Sequence, residues 1–567
     1  MRMTPRRFAL PGFAVLVAAV ALLLVSGGPS RSSAVEAQRS GLMWTGCGGS
    51  FECATLAVPL DYGQPGGRTI DVALLRLPAR KPSERIGALL SNPGGPGGSG
   101  IEFMRGWSRI LDGDIRDRFD LVSFDPRGVG DSSPLLCHDD ARDLIGLEPE
   151  PSTADEWSEV RRALRAFADL CATRGGDVLP HLGSVDVVRD MDRIREALGE
   201  QQITYVGYSY GTVLGALYAE LFPQRVRAMV LDGPVDLSLS PDELNVTQAV
   251  GFERALSHFV ADCRERQCAL ARNGRDPGAA LQQVVEAARA HPIPSSDADR
   301  PARSGEALTA IVASMYRKEF WPSLVQAVEE GLNGNGTWLV QLADRLWGRS
   351  GDEYDNSMEM NTAVNCLDYA YSPDPAHYEE ASRAAAAVSP TFGASFGTTG
   401  LVCAYWHTSP RPLQSPDAAE APPLLVVGTT GDPATPFEWA LAMRRDLVTS
   451  TLLTFEGEGH TAYASGNHCV DEVVNAYLLE RRLPQDGAIC GREESPRAPA
   501  TPPAAAFPAK GTLATPAASA AAPEDGTATL PAREREGTST AWVWTLVVLA
   551  VAPAMGAGVY VWRRRGR

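Results

Sequence analysis

Three residues have the types and the chain order that acyl transfer by an activated hydroxyl requires: Ser209, Asp432 and His460. A serine hydroxyl is a weak nucleophile until a base takes its proton, and the base needs a carboxylate to fix its tautomer. Each residue lies just after a run that reads as a core strand: Ile203 to Val206, Leu424 to Val427, and Leu452 to Phe455. Ser209 is centred in Gly207-Tyr208-Ser209-Tyr210-Gly211, before a helix-like run from Thr212 to Leu221 that stops at Pro223. A tight strand-to-helix turn lifts such a hydroxyl above the sheet, and the glycines prevent clashes around it. His468 is the rival base and Asp232 the rival acid; His468 adjoins Cys469 at a helix start, where a structural role is the simpler reading.

The Gly-x-Ser-x-Gly pattern alone is a weak signal. With 54 Gly in 567 residues, chance supplies about a third of one match at ordinary serine frequencies. A second match, Gly393-Ala394-Ser395-Phe396-Gly397, has no β-like run before it and no helix after it, and its composition predicts a flexible loop. Only the first match has the context the chemistry needs.

An oxyanion also needs donors. The run Ile86 to Leu90 enters Ser91-Asn92-Pro93-Gly94-Gly95-Pro96-Gly97-Gly98-Ser99-Gly100, where so many glycines expose backbone N–H groups. A phosphate loop is the competing reading, but the Lys-Ser/Thr of the Walker pattern is missing. The expected donors are the N–H of Tyr210 and that of Gly94 or Gly95.

Further β-like runs cover Ala54 to Leu60, Thr69 to Leu77, Phe119 to Phe124 and Val226 to Leu231, and Val187 to Leu198 has amphipathic helical spacing. Asp125 and Arg127, after the run at 119–124, are expected to pair with each other and hold their loop. Alternating strands and helices predict an α/β fold with a mostly parallel sheet. The first part of the core spans 38–236, a helical lid occupies 237–417 between core strands six and seven, and the core resumes over 418–491.

Taken together, Pro93-Gly94-Gly95-Pro96-Gly97, Asp125-Pro126-Arg127-Gly128, the turn at Ser209, Gly431-Asp432-Pro433-Ala434-Thr435-Pro436 and Gly457-Glu458-Gly459-His460 resemble the secreted tripeptidyl aminopeptidase and proline iminopeptidase family of serine peptidases. The likeness covers roughly residues 40 to 492. It implies an α/β-hydrolase fold, the triad Ser209, Asp432 and His460, and release of short peptides from free N-termini through an acyl-enzyme; its relatives include carboxylesterases. Asn365-Cys366-Leu367-Asp368 resembles a Cys-x-Asp segment of the tripeptidyl group, which offers Asp368 as a lid carboxylate for the substrate's ammonium. Glu353, Asp355 and Glu359 are rivals for that part.

A net charge of -17 and a pI near 5.1 argue against a nucleic-acid partner, which would need clustered Lys and Arg. Residues 1–37 read as a signal peptide: Arg2, Arg6 and Arg7, an apolar stretch from Phe8 to Val25, and a cleavage site at Val35-Glu36-Ala37. Residues 492–540 form an Ala/Pro-rich linker too poor in large apolar residues to fold, and 541–562 read as a transmembrane helix of about 33 Å. The basic tail 563–567 then stays in the cytoplasm and the body faces outward. A cell-wall sorting signal shares this layout, but Leu530-Pro531-Ala532-Arg533-Glu534 departs from Leu-Pro-x-Thr-Gly.

Ten cysteines suit an exported protein. Their spacing suggests sequential disulfides: Cys47 with Cys53, Cys137 with Cys171, Cys263 with Cys268, Cys366 with Cys403, and Cys469 with Cys490. A zinc array is disfavoured because no C-x-x-C set stands beside histidines. No motif calls for a metal or other cofactor. The expected function is therefore that of a membrane-tethered extracellular serine hydrolase acting on peptide N-termini, with a carboxylesterase on the same triad as the alternative.

Overall fold

The strands beneath the candidate site are apolar almost throughout, because helices cover both of their faces. In the computed structural model, which describes residues 42–137, 142–351 and 353–491, the chain forms strands β1 (Thr45–Gly46), β2 (Glu52–Pro59), β3 (Thr69–Leu77), β4 (Gly87–Asn92) and β5 (Phe119–Phe124). Beyond these come β6 (Ile203–Tyr208), β7 (Val226–Asp232), β8 (Leu425–Gly431), β9 (Thr451–Glu458) and β10 (Ala488–Cys490). Every residue of β4, β5 and β6 is buried. β3 instead alternates over its first four residues between exposed and buried positions, as fits an antiparallel strand near an edge.

All ten strands join one sheet in the order β1-β2-β3-β5-β4-β6-β7-β8-β9-β10. From β5 to β10 each neighbouring pair is parallel, and the antiparallel pairs are β1 with β2, β2 with β3 and β3 with β5. This parallel register brings the loops after β4, β5, β6, β7, β8 and β9 to one end of the sheet, where α/β folds place their sites.

Helices Gly100–Trp107, Ser184–Ala197, Gly211–Leu221, Phe437–Asp446 and His468–Glu480 flank the sheet. The Ser99 hydroxyl caps the first of these by accepting from Glu102 N at 3.1 Å.

The long insertion leaves the sheet after β7 and returns at β8, its parallel neighbour. Counted from Glu52 these are core strands six and seven; the short β1, which sequence analysis missed, raises the count by one. The insertion has two parts. Helices Pro241–Glu265, Pro277–Ala290, Ser304–Met315, Trp321–Leu332 and Thr337–Leu346 enclose their own apolar cluster, with Phe252, Phe259, Val284, Ile311 and Leu324 inside. Helix Ser357–Asp368 instead packs Met360, Ala363, Val364 and Leu367 into the core cluster of Val187, Tyr210 and Val213.

Two local expectations are corrected. Gly393–Gly397 is a short helix and not a loop. Its glycines permit close packing: an added Cβ would lie 2.2 Å from Ala385 O at Gly393 and 2.5 Å from Ser382 Cα at Gly397. Asp125 and Arg127 do not pair with each other. Arg127, fully buried, makes a two-pronged bond to Asp190 at 2.7 and 2.6 Å, and Asp125 accepts from Ser99 Oγ (2.6 Å), Ile101 N (3.1 Å) and Asp131 N (2.9 Å). A fork-shaped guanidinium seeks a carboxylate it can meet edge-on, and Asp190 on the neighbouring helix offers one.

The ten cysteines form the pairs Cys47–Cys53, Cys137–Cys171, Cys263–Cys268, Cys366–Cys403 and Cys469–Cys490. Among the described residues no helix is long and apolar enough to cross a membrane. The expected signal peptide, linker, transmembrane helix and basic tail lie outside the described residues.

Candidate active site

Ser209 follows β6 directly and has φ of +52°, in the left-handed region that side chains rarely occupy. The surrounding bonds hold it there. Its N–H donates to Asp232 O at 2.9 Å, and its carbonyl accepts from Thr212 N at 2.8 Å and Thr212 Oγ1 at 2.6 Å. The flanking glycines are sterically required, since an added Cβ would lie 2.3 Å from Gly211 O at Gly207 and 2.7 Å from Asn92 O at Gly211. Helix Gly211–Leu221 begins at once, which aims its N-terminal N–H groups at this end of the sheet.

Asp432 and His460 meet across the loops after β8 and β9. His460 Nδ1 lies 2.9 Å from both carboxylate oxygens of Asp432. A carboxylate only accepts, so Nδ1 carries the proton and Nε2 keeps a free lone pair. Asp432 is also anchored by Ala434 N (2.9 Å), Thr435 N (2.8 Å), Thr435 Oγ1 (3.0 Å) and Thr461 N (3.2 Å). His460 is 4% exposed, its backbone N–H donates to Tyr316 O at 2.8 Å, and the Tyr316 ring stands edge-on to the imidazole at 5.5 Å. The insertion thus roofs His460.

The Ser209 and His460 loops share Asp232. Its carbonyl takes the Ser209 N–H, and at the following Gly233 an added Cβ would approach His460 Cε1 to 3.2 Å. The Asp232 carboxylate accepts from Ala462 N at 3.1 and 3.0 Å and from Tyr463 N at 2.8 Å. Burial pushes this carboxyl up to about 7, against the downward pull of those backbone bonds. Asp232 therefore braces the loop behind His460, and the acid on the imidazole is Asp432. His468, the rival base, is exposed at the first position of helix His468–Glu480.

The glycine-rich loop after β4 passes over the Ser209 turn. At Gly94, φ is +88°, and an added Cβ would lie 2.5 Å from Tyr208 O and 2.7 Å from Tyr210 N. The Gly94 N–H is committed, because it donates to Asn92 Oδ1 at 2.8 Å. Among the described residues the N–H groups of Tyr210 and Gly95 donate to no protein acceptor. Two such donors, one beside the serine and one on the facing loop, suit a developing oxyanion.

Asn92, Thr435 and Asp232 complete this arrangement and were not assigned these roles from the sequence. Asn92 precedes Pro93-Gly94 and Thr435 follows Asp432 by three positions, so proximity to the motifs was the available signal.

Asp368, offered to a substrate ammonium by sequence, is 3% exposed and turns inward. It accepts from Tyr210 Oη at 2.8 Å and from Ser184 N at 3.2 and 3.0 Å. Among its rivals, Glu359 is 2% exposed, Asp355 accepts from Ser357 N at 2.9 Å, and Glu353 is exposed in the small hairpin of Arg349–Ser350 and Glu353–Tyr354.

The fold and these loops define a hydrolase of the α/β class. Residues 87–466 match the family described as alpha/beta hydrolase fold, and the chain belongs to that family. Over 512 residues it is 38% identical to the serine protease Hip1 of Mycobacterium tuberculosis (strain ATCC 25618 / H37Rv), covering 84% of this chain and 96% of that protein. It is also 38% identical over 450 residues to carboxylesterase B of the same strain, covering 77% and 86%. With the tripeptidyl aminopeptidase of Streptomyces lividans it shares 30% identity over 486 residues, 82% of this chain and 89% of that one. The protein is a serine hydrolase related to serine peptidases.

Proposed function

We propose that the protein is an exported peptidase that removes short peptides from free N-termini, with Ser209 as nucleophile, His460 as base and Asp432 as its orienting acid. The observation that carries this reading is the 2.9 Å contact of His460 Nδ1 with the Asp432 carboxylate, which leaves Nε2 as the proton acceptor. Ser209 Oγ attacks the scissile carbonyl carbon as its proton passes to Nε2. The carbonyl oxygen becomes an oxyanion, facing the N–H groups of Tyr210 and Gly95. Collapse of this intermediate breaks the C–N bond, and Nε2 returns the proton to the departing amine. Water then attacks the acyl-enzyme, again giving its proton to Nε2, and the acid product leaves as Ser209 regains its proton.

Preference for free N-termini is supported by likeness to a tripeptidyl aminopeptidase, and export by five disulfides, which persist in oxidising compartments. Anchoring rests on the sequence of 541–562 alone. A carboxylesterase is the second reading, favoured by the similarity to carboxylesterase B.

Matched peptides with free and acetylated N-termini, assayed beside simple acyl esters, separate the two. Cleavage lost on acetylation supports the aminopeptidase; indifference to acetylation, or turnover of esters alone, sinks it.

A further inference from the structure

Tyr210 has two ends with different tasks. Its N–H is one of the two open donors beside Ser209, and its phenol runs inward, 6% exposed, to a closed triangle of hydrogen bonds. Tyr210 Oη donates to Asp368 Oδ2 at 2.8 Å, Ser184 Oγ contacts Tyr210 Oη at 3.2 Å, and Ser184 N donates to the same carboxylate. The three corners come from three elements: the Ser209 turn, the first residue of helix Ser184–Ala197, and the last residue of lid helix Ser357–Asp368.

The lid corner is held tightly. Cys366, two residues earlier, is bonded to Cys403; Leu413 N donates to Asp368 O at 3.0 Å, and Arg411 N donates to Leu367 O at 2.6 Å. No cation forms a direct ion pair with the carboxylate among the described residues; the Arg411 guanidinium, bonded to Asp186 and the Pro180 carbonyl, acts on it only through space. A buried carboxylate without a bonded counter-ion is costly, and a neutral acceptor would satisfy mere packing. The charge strengthens the bond from the Tyr210 phenol, as ionised acceptors do. Burial accordingly pushes the Asp368 carboxyl up to about 6.

We infer that Asp368 is a positioning residue for acyl transfer: from the lid it holds the Tyr210 side chain, and through it the N–H that faces the oxyanion. This rests on the acyl-enzyme reading of Ser209 and not on which acyl group is transferred. The lid segment after residue 357 is then part of the catalytic frame. The carboxylate faces Tyr210 and Ser184 and is only 3% exposed, so it turns away from any substrate ammonium.

The test is a double-mutant cycle in the full-length protein, with Asp368→Asn, Tyr210→Phe and the pair, read on p-nitrophenyl acetate and on a peptide with a free N-terminus. Each single change should lower kcat on the ester by about 10- to 100-fold with KM within about twofold, because a misplaced donor acts on the transition state. The double variant should be no slower than the worse single one. An unchanged kcat, a raised KM alone, or losses that multiply in the pair would overturn the inference. Should Asp368→Asn lack a cooperative melt, Tyr210→Phe, which keeps the ring's packing, decides by the same kcat criterion. An effect on the ester with no peptide turnover in the parent would retain the inference and discard the aminopeptidase reading.

Discussion

Asp232 binds both halves of the candidate machinery: its carbonyl accepts the Ser209 N–H at 2.9 Å, while its side chain accepts the Tyr463 N–H at 2.8 Å behind His460. One residue at the end of β7 thereby sets the separation of nucleophile and base. Asp232→Ala leaves the N–H groups of Ala462 and Tyr463 buried without an acceptor, at about 1–3 kcal/mol each. The expected result is a lower melting temperature and a kcat reduced at least tenfold, measured by calorimetry and steady-state kinetics.

The same carboxyl predicts a pH dependence of stability. Its folded value of about 7 lies above the ordinary 3.8, so the folded protein binds the proton more tightly than the unfolded chain. Stability contributed by this group is therefore present below about pH 4 and lost as pH rises toward 7. Relative to Asp232→Asn, the parent should lose on the order of a few kcal/mol across that interval, seen in denaturant titrations at a series of pH values.

Steric exclusion at Gly94 makes a sharper contrast. A methyl group there would meet Tyr208 O at 2.5 Å, whereas Gly466, with φ of +99°, has nothing within 4 Å of its added Cβ. Gly466→Ala should cost only the backbone strain, about 1–2 kcal/mol, with normal kcat. Gly94→Ala should reduce kcat by about 100-fold or more, because the glycine loop is driven off Tyr210 N.

Arg127 is buried with its guanidinium on Asp190, Pro59 O, Leu60 O and His181 O. Asp190→Ala strands that charge and should destabilise by about 3–5 kcal/mol. Thermal melts check the loss, and the folded fraction should keep its KM.

Much of the site was legible because its motifs are local. Ser209, Asp432 and His460 each follow a strand whose apolar run marks the end of the sheet, and parallel topology does the rest. What escaped is what depends on long-range pairing. Asp190 lies 63 positions from Arg127, and Asp368 lies 158 positions from Tyr210, so neither partnership leaves a mark in spacing. The committed Gly94 N–H was hidden for another reason, since only the folded loop turns Asn92 Oδ1 back onto it. Composition misread 393–397, where glycines that look like loop residues allow two helices to touch.

The proposed hydrolysis requires an activated hydroxyl at Ser209. A fluorophosphonate probe reacts with a serine activated by a neighbouring base, and peptide mapping by mass spectrometry locates the adduct. The prediction is one adduct per chain on Ser209, formed in parallel with loss of hydrolysis and absent in Ser209→Ala. An adduct at Ser395 or elsewhere that tracks the loss of activity, or full turnover by Ser209→Ala, would contradict it.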